Sequence, residues 1–288
     1  MKLNDLVQHI SHTGASETDI TAITYDSRKA CAGSLFVCLV GAWLDGHTYA
    51  ESAYQNGCRA FLVEHRVDLP ADAVQIVTDD TRAALAVIGA DFYGNPADEL
   101  HLIGITGTKG KTTTALLTAA IMTEAGLPCA YIGSNGVDIV GVHEATANTT
   151  PESLELHRLF RKMLDAGVRH CVLEVSSQAL RHHRVDGVPF EVVAFTNLSA
   201  STPILRTTSA PSAACLQNTT PARWFTTWMI PTVISCARAL KANRSALASR
   251  MPPTITGRIW HSTAARPPSA LTLTAYTRAQ RPTSRACP

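Results

Sequence analysis

The last 88 residues of this 288-residue chain contain no aspartate and no glutamate. All 23 acids lie at or before Glu191, whereas residues 201–288 carry 11 of the 25 lysines and arginines. The first 200 residues hold 14 bases against 23 acids, a balance of −9, and the remainder stands at +11, so the net charge of +2 hides two opposite halves. At the acid frequency of the first part, such a stretch would carry roughly ten acids. Residues 201–288 also hold 10 of the 15 prolines and a single glycine, Gly257, of 17. This excludes reading the chain as one compositional unit; it reads as two sequences joined near residue 200. No C-x-x-C pair occurs among the eight cysteines, which removes support for a zinc ribbon or a thiol redox motif. Cys38, Cys129 and Cys171 stand in apolar runs and are expected to be buried small hydrophobes. The N-terminus, Met1-Lys-Leu-Asn-Asp, lacks the apolar core of a signal peptide, and no run of 18 apolar residues exists. The expectation is a cytoplasmic protein without membrane insertion.

What is present is alternating apolar and helical pattern. Leu3 to Ile10 reads as a short helix, Gly33 to Val40 and Ala60 to Glu64 as buried strands, and Ala50 to Asn56 as a helix ending at Gly57. Val74 to Thr78 is a strand, and Thr81 to Tyr93 a helix with Thr81 as its N-cap. Asn95-Pro96-Ala-Asp98 breaks the pattern. A second series follows: strands at His101–Thr106, Cys129–Ile132, His170–Val175 and Phe190–Phe195, with helices at Thr113–Ala125, Ser153–Ala166 and Ser177–His183. Such alternation predicts an α/β fold: a small N-terminal α/β domain (1–98), then an incomplete P-loop domain with a doubly wound parallel sheet (99–199). Ligands then sit at the carboxyl ends of the strands. Beyond residue 200 the periodicity stops, and residues 200–288 are expected to be a disordered tail.

Residues 104–114, Gly-Ile-Thr-Gly-Thr-Lys-Gly-Lys-Thr-Thr-Thr, carry the strongest chemical signal. A strand, a glycine-rich turn and a helix start form the context of a phosphate-binding loop. Gly107 and Gly110 let backbone N–H groups approach a polyphosphate, Lys111 would reach the outer phosphates, and the Thr112 hydroxyl would ligate Mg²⁺. The fit to GxxxxGK[ST] is offset by one, because Ile105 holds the first glycine's place and Gly104 stands beside it. The bland reading is an ordinary strand-to-helix turn.

Four other segments could carry chemistry. Glu174 ends an apolar strand at the same sheet edge, either as a solvated acid or as an oxygen ligand for Mg²⁺ beside Thr112. Asn148-Thr149-Thr150-Pro151 is either a helix-capping loop or a hydroxyl-rich anion or substrate loop. Arg181-His182-His183-Arg184 is either a surface basic cluster or a site for an anionic substrate such as a diphosphate. Tyr25-Asp-Ser-Arg28 and Val40 to His47 read as loops, with Asp26 and Asp45 preceding turn-like segments.

Together these pieces resemble the Mur ligases, and within them the branch that adds the third residue to the peptidoglycan stem peptide. The resemblance rests on Tyr25-Asp-Ser-Arg28, the block from Gly33 to Gly46, the loop 104–114, Asn148-Thr-Thr-Pro151, Glu174-Val-Ser-Ser177 and Phe195-Thr-Asn-Leu198, in order along residues 1–199. The Gly104, Gly107, Gly110 spacing is that family's own. The resemblance implies that Gly107, Thr108, Lys109, Gly110, Lys111, Thr112 and Thr113 bind ATP, with Thr112 and Glu174 near Mg²⁺. It implies that Ser27 and Ala42-Trp43-Leu44 contact the uridine end of UDP-N-acetylmuramoyl-dipeptide. Asn148, Thr149, Thr150, Ser176, His182 and Arg184 would hold the muramoyl-dipeptide and its diphosphate. The implied reaction is phosphorylation of a carboxylate by ATP and attack on the acyl phosphate by the amine of diaminopimelate or lysine, with Lys111 and Glu174 as catalytic groups. Lys109 replaces a frequent Asn, Gln178 stands where His is usual and His182 where Gln is common.

The larger departure follows Thr196-Asn-Leu-Ser199. The family continues with x-Asp-His and a lysine that becomes carbamylated, whereas positions 201 and 202 are Ser and Thr. A frameshift near codon 200 explains this, since a GC-rich gene read out of frame yields Ala, Arg, Pro, Ser and Thr. The expectation is therefore a ligase chain with little activity. Alternatives are a non-catalytic nucleotide-binding remnant, another P-loop ATPase, or a basic tail that binds nucleic acid or an anionic surface. The scattered placement of the bases speaks against nucleic acid as a partner.

Overall fold

The computed structural model describes residues 1–14, 16–41 and 44–197. The expected disordered tail, and Ala42 and Trp43 of the expected uridine contact, lie outside them. Two sheets, the first all parallel and the second mixed, follow one another along the chain.

The first sheet contains β1 (Ala22–Thr24), β2 (Ser34–Val37), β3 (Ala60–Val63) and β4 (Val74–Val77), adjacent in that order and all parallel. Every side chain of β2 and β3 is buried, as continuous apolar runs covered on both faces require. Alternation divides them between two cores. Leu35, Val37, Ala60 and Leu62 face Leu3 and Leu6 of α1 (Leu3–Val7) and Leu85 and Ile88 of α3 (Thr81–Phe92). Phe36, Phe61 and Val63 face Ala50 and Ala53 of α2 (Ala50–Gln55).

The second sheet has the order β10-β5-β9-β6-β7-β8. Its members are β5 (His101–Thr106), β6 (Cys129–Gly133), β7 (Gly136–Ile139), β8 (Val142–Glu144), β9 (His170–Glu174) and β10 (Phe190–Phe195). The first four in that order are parallel, and β7 and β8 add an antiparallel hairpin. α4 (Lys111–Glu124) covers one face, through Ala115 and Ala119 against Ile105, Tyr131 and Val172. α5 (Ser153–Asp165) covers the other, through Leu156, Phe160 and Met163 against Leu102, Ile132 and Leu173. From β5 the chain winds outward to β6, returns to β9 and crosses to β10 on the far side, so the order reverses at β5. A crevice at the carboxyl ends of the strands follows from such a reversal. The short α6 (Ser177–Arg181) starts at the end of β9.

Several local expectations need correction. Asp80, not Thr81, caps α3: its carboxylate accepts from the N–H groups of Arg82 and Ala83, while the buried Thr81 hydroxyl reaches Cys38 O and Glu64. α4 starts at Lys111, two residues earlier than read, because Gly110 at φ +81° supplies the left-handed entry. β2 ends at Val37, α1 at Val7, and Cys129 is only half-buried. β1 and the β7–β8 hairpin carry no signal that sequence reading detected. Asp26 and Asp45 do precede turns: each caps a 3₁₀ turn by accepting from the N–H two residues on, at 3.1 Å (Arg28) and 2.9 Å (His47). Among the described residues no helix is long and apolar enough to cross a membrane.

Candidate active site

The loop after β5 is shaped by glycine where no other residue fits. Gly107 sits at φ +136°, and a Cβ there would collide with Thr196 Oγ1 and stand 3.0 Å from Asn197 N. β10 delivers those two residues beside the loop. Thr108 N donates to Asn197 O (2.9 Å), Lys109 N to Asn197 Oδ1 (3.0 Å), and Thr196 Oγ1 and Asn197 Nδ2 both donate to Lys109 O (2.7 Å). The loop is thus clamped from the next strand, a role for Thr196 and Asn197 that sequence reading missed. Lys111 Nζ donates to Gly107 O at 2.8 Å, curling over the loop. The N–H groups of Lys111, Thr112 and Thr113 open the first turn of α4, where a helix leaves its donors without intrahelical acceptors.

Glu174 does not emerge into solvent at the end of β9 as a strand-end acid would; it is completely buried. Strand alternation turns it, with Val172, toward α4. Thr112 Oγ1 donates to its Oε2 at 2.9 Å. Its Oε1 accepts from Tyr131 OH at 2.6 Å and from Ser134 N at 3.0 Å. Burial, together with Glu174, pushes the Tyr131 phenol well above its usual pKa, so the phenol is the donor. The pair fits a hard cation. Two oxygens at neighbouring corners of an octahedral Mg²⁺ stand about 2.9 Å apart, given metal–oxygen distances of about 2.0–2.1 Å. Thr112 Oγ1 and Glu174 Oε2 already have that separation.

The next layer holds the hydroxyl-rich loop. Thr150 is fully buried; its Oγ1 donates to Glu174 O (2.8 Å) and accepts from Ser176 N (3.0 Å). Ser176 Oγ caps α6 by accepting from Ala179 N (3.1 Å), and Thr149 Oγ1 pairs with Ser134 Oγ at 3.0 Å. Asn148 is exposed. The capping reading of Asn148 to Pro151 therefore gives way to a loop tied to the end of β9, with α5 starting at Ser153.

The basic cluster divides. Arg184 is not a surface charge: its Nη2 meets Glu152 Oε1 at 2.7 Å and its Nη1 donates to Thr150 O at 3.1 Å, while its buried Nε has no partner. Glu152 Oε2 takes Arg82 Nη1 at 3.1 Å, and Arg82 Nε donates to Val40 O at 2.9 Å. This chain of contacts joins Val40, after the first sheet's β2, to Arg184 and Thr150. From sequence Glu152 suits only the first turn of the helix that begins near Ser153, and Arg82 carries no signal; the pairing of both arginines with Glu152 is seen only in the fold. Burial first, then Arg82 and Arg184, lower the His182 pKa and favour a neutral ring. Ser27 is buried, with its carbonyl accepting from Asn56 Nδ2 at 2.9 Å, and Leu44 is exposed.

One further group gathers ligand-type atoms: Asp45, His47 and His65. His47 Nδ1 bonds Asp45 Oδ1 at 2.6 Å, and its Nε2 accepts from Glu64 N at 2.9 Å. Both His47 ring nitrogens are committed, so the group ties Asp45 to the backbone at Glu64.

Comparison with known proteins agrees with this arrangement. Residues 19–93 match the Mur ligase family catalytic-domain model, and residues 105–201 match the Mur ligase middle-domain model. A UDP-N-acetylmuramoyl-L-alanyl-D-glutamate--2,6-diaminopimelate ligase of Bacillus licheniformis is 44% identical over 203 residues, covering 69% of this chain and 41% of that protein. The Clostridium perfringens protein of the same name is 43% identical over 186 residues, covering 65% and 38%. A solved structure of a UDP-N-acetylmuramoyl-L-alanyl-D-glutamate--2,6-diaminopimelate ligase superposes with a TM-score of 0.63 at 25% identity, covering 76% of this chain and 45% of that one. MurF from Acinetobacter baumannii shares the fold, with a TM-score of 0.51 at 22% identity over 81% of this chain and 51% of that one. The chain thus spans about two-fifths of the length of the curated relatives it matches. With both domain models in sequence and the phosphate loop facing Glu174, the chain belongs to the Mur ligase family.

Proposed function

We propose that residues 1–199 derive from an ATP-dependent amide ligase of peptidoglycan synthesis, acting on UDP-N-acetylmuramoyl-L-Ala-D-Glu and adding diaminopimelate or lysine. The observation that carries this reading is the 2.9 Å pairing of Thr112 with Glu174 at the mouth of the loop. It is reinforced by Thr150, which bonds the carbonyl of the same Glu174. The phosphate acceptor and the phosphate donor would then meet at the carboxyl end of β9.

In this reading Gly107 to Thr113 cradle the triphosphate, with Lys111 leaving Gly107 O for the outer phosphates. Thr112 and Glu174 would hold Mg²⁺, which when bound neutralises charge on the phosphoryl group in transfer. Asn148, Thr149, Thr150, Ser176, His182 and Arg184 orient the substrate, and the unpartnered Nε of Arg184 suits an anionic oxygen. Ser27 and residues 42–44 take the uridine end. The substrate carboxylate oxygen attacks the γ-phosphorus and ADP departs. An amine then attacks the acyl carbon, phosphate leaves with its oxygen and the amine loses a proton. Catalysis rests on placement of these groups. The domain division at 1–98 and 99–199 belongs to the same proposal: a nucleotide-sugar site followed by a phosphoryl site. A cytoplasmic location follows from the substrates.

The 288-residue chain itself is proposed to bind without turnover, since Ser201 and Thr202 stand where the family has Asp-His and no acid follows. Incubation with ATP, Mg²⁺, the UDP-dipeptide and either amine should give no new amide by mass spectrometry. The gene supplies the complementary test. One of the other two reading frames beyond codon 200 should continue with Asp-His and an acid-containing sequence, and the restored chain should form product. Product from the 288-residue chain as it stands would overturn the inactivity, and two frames without that continuation would overturn the frameshift.

A further inference from the structure

Tyr131 lies in none of the short motifs singled out from the sequence, yet it touches the group on which the proposed metal site depends. On β6 it faces Val172 of β9 in register, on the α4 side of the sheet. From there its hydroxyl reaches one step along the neighbouring strand to Glu174 Oε1, at 2.6 Å. Ser134 N, one residue past β6, supplies the second donor to that oxygen at 3.0 Å. Gly133 between them leaves the space. A Cβ there would collide with Glu174 Oε1 and with the Tyr131 hydroxyl, so the strand end is built around this contact.

The two carboxylate oxygens therefore have separate duties. Oε1 is saturated by Tyr131 and Ser134, and Oε2 alone is turned toward Thr112. When the Thr112 hydroxyl turns its lone pair toward a cation, the donors on Oε1 are unaffected and the carboxylate plane keeps its direction. A cation that demands near-ideal octahedral geometry is sensitive to that direction.

We infer that Tyr131 is a positioning residue for Mg²⁺: its 2.6 Å hydrogen bond to Glu174 Oε1 aims Oε2 at the cation held with Thr112 beside the nucleotide phosphates. This rests on the proposed reading of Thr112 and Glu174 as the metal ligands. Partners of metal ligands of this kind are worth about 10–100-fold in metal affinity.

Calorimetric titration of the full chain with a non-hydrolysable ATP analogue, in Mg²⁺ and again in EDTA, tests it. The unaltered chain should bind more tightly with Mg²⁺. Tyr131→Phe keeps the ring and should lose about 10-fold or more of that Mg²⁺-dependent gain, with its affinity in EDTA unchanged. Glu174→Gln should abolish the gain, and adding Tyr131→Phe to it should cost nothing more. A Tyr131→Phe chain that keeps the whole Mg²⁺ gain overturns the inference and leaves the metal reading standing. Equal weakening in Mg²⁺ and EDTA also overturns it, by making Tyr131 a packing residue only. An unaltered chain indifferent to Mg²⁺ overturns the metal reading and this inference with it.

Discussion

At Gly107 the backbone adopts φ +136°, a region essentially closed to side chains, and the site a Cβ would take is filled by Thr196. Gly107→Ala should therefore cost about 1–3 kcal/mol of stability and weaken nucleotide binding together with it, read by thermal unfolding and by titration with ATP. His157 gives a second residue-scale prediction. It lies in the core on α5, edge-on to Phe160, with Nδ1 unpartnered, and burial lowers its pKa to about 4. An unfolded histidine titrates near 6.5, so the folded state binds fewer protons between these values. The stability this neutral ring permits is complete above about pH 6.5 and is lost as pH falls toward 4, by up to roughly 3 kcal/mol. His157→Leu should flatten the fall in melting temperature between pH 7 and pH 4.5; parallel curves would contradict the assignment. At this scale Gly107, Lys111 and Thr112 stand out in the sequence because loop chemistry needs those residue types at fixed spacing after a strand, and Glu174 because it is an acid ending an apolar strand at the same sheet edge. The contacts that Tyr131, Glu152 and Asn197 make were not legible, because they come from strand register and join positions 43, 32 and 88 apart in sequence.

Elements meet at Glu152, which stands just before α5 between Arg82 of α3 and Arg184 after α6. All three side chains are largely buried, at 11–16% exposure, so removing the acid leaves two arginines without their counter-charge. Glu152→Gln, which keeps a hydrogen-bonding side chain but removes the charge, should destabilise the chain by about 1–3 kcal/mol and loosen binding of the UDP-dipeptide, measured by denaturant unfolding and calorimetry. Unchanged stability would show that solvent satisfies both guanidinium groups. The parallel strands were readable as unbroken apolar runs, and α5 as an amphipathic pattern from Ser153. The β7–β8 hairpin was not, for a physical reason. Its turn places Val140, a β-branched residue, at φ +51°, where Asn or Gly is the usual signal. Asp138 Oδ1 compensates by accepting from Gly141 N at 2.9 Å. Composition that contradicts the turn type hides the turn.

Over the whole molecule, the charge break near residue 200 and the match to family models through residue 201 coincide. The molecule also shows an apolar stripe on α4, with Leu117 at 58% and Ile121 at 68% exposure beside Leu116. A stripe of that kind favours association. The pair Leu117→Lys and Ile121→Lys should lower the average mass seen by light scattering, without shifting the melting temperature by more than about a degree or two; no change in mass would show that α4 is not the sticky face. The parallel, doubly wound character of the second sheet was legible in the alternating pattern, whereas its strand order and the antiparallel hairpin at its edge were not. How the first sheet reaches the candidate site, through Val40, Arg82 and Glu152, was visible only in the folded chain. The central claim is that this chain retains the nucleotide and UDP-substrate sites of a Mur ligase while lacking turnover. The most direct measurement is isothermal titration of the full 288-residue chain with a non-hydrolysable ATP analogue in Mg²⁺ and, separately, with UDP-N-acetylmuramoyl-L-Ala-D-Glu. Saturable heat for both ligands is the predicted result; no heat for either would contradict the account.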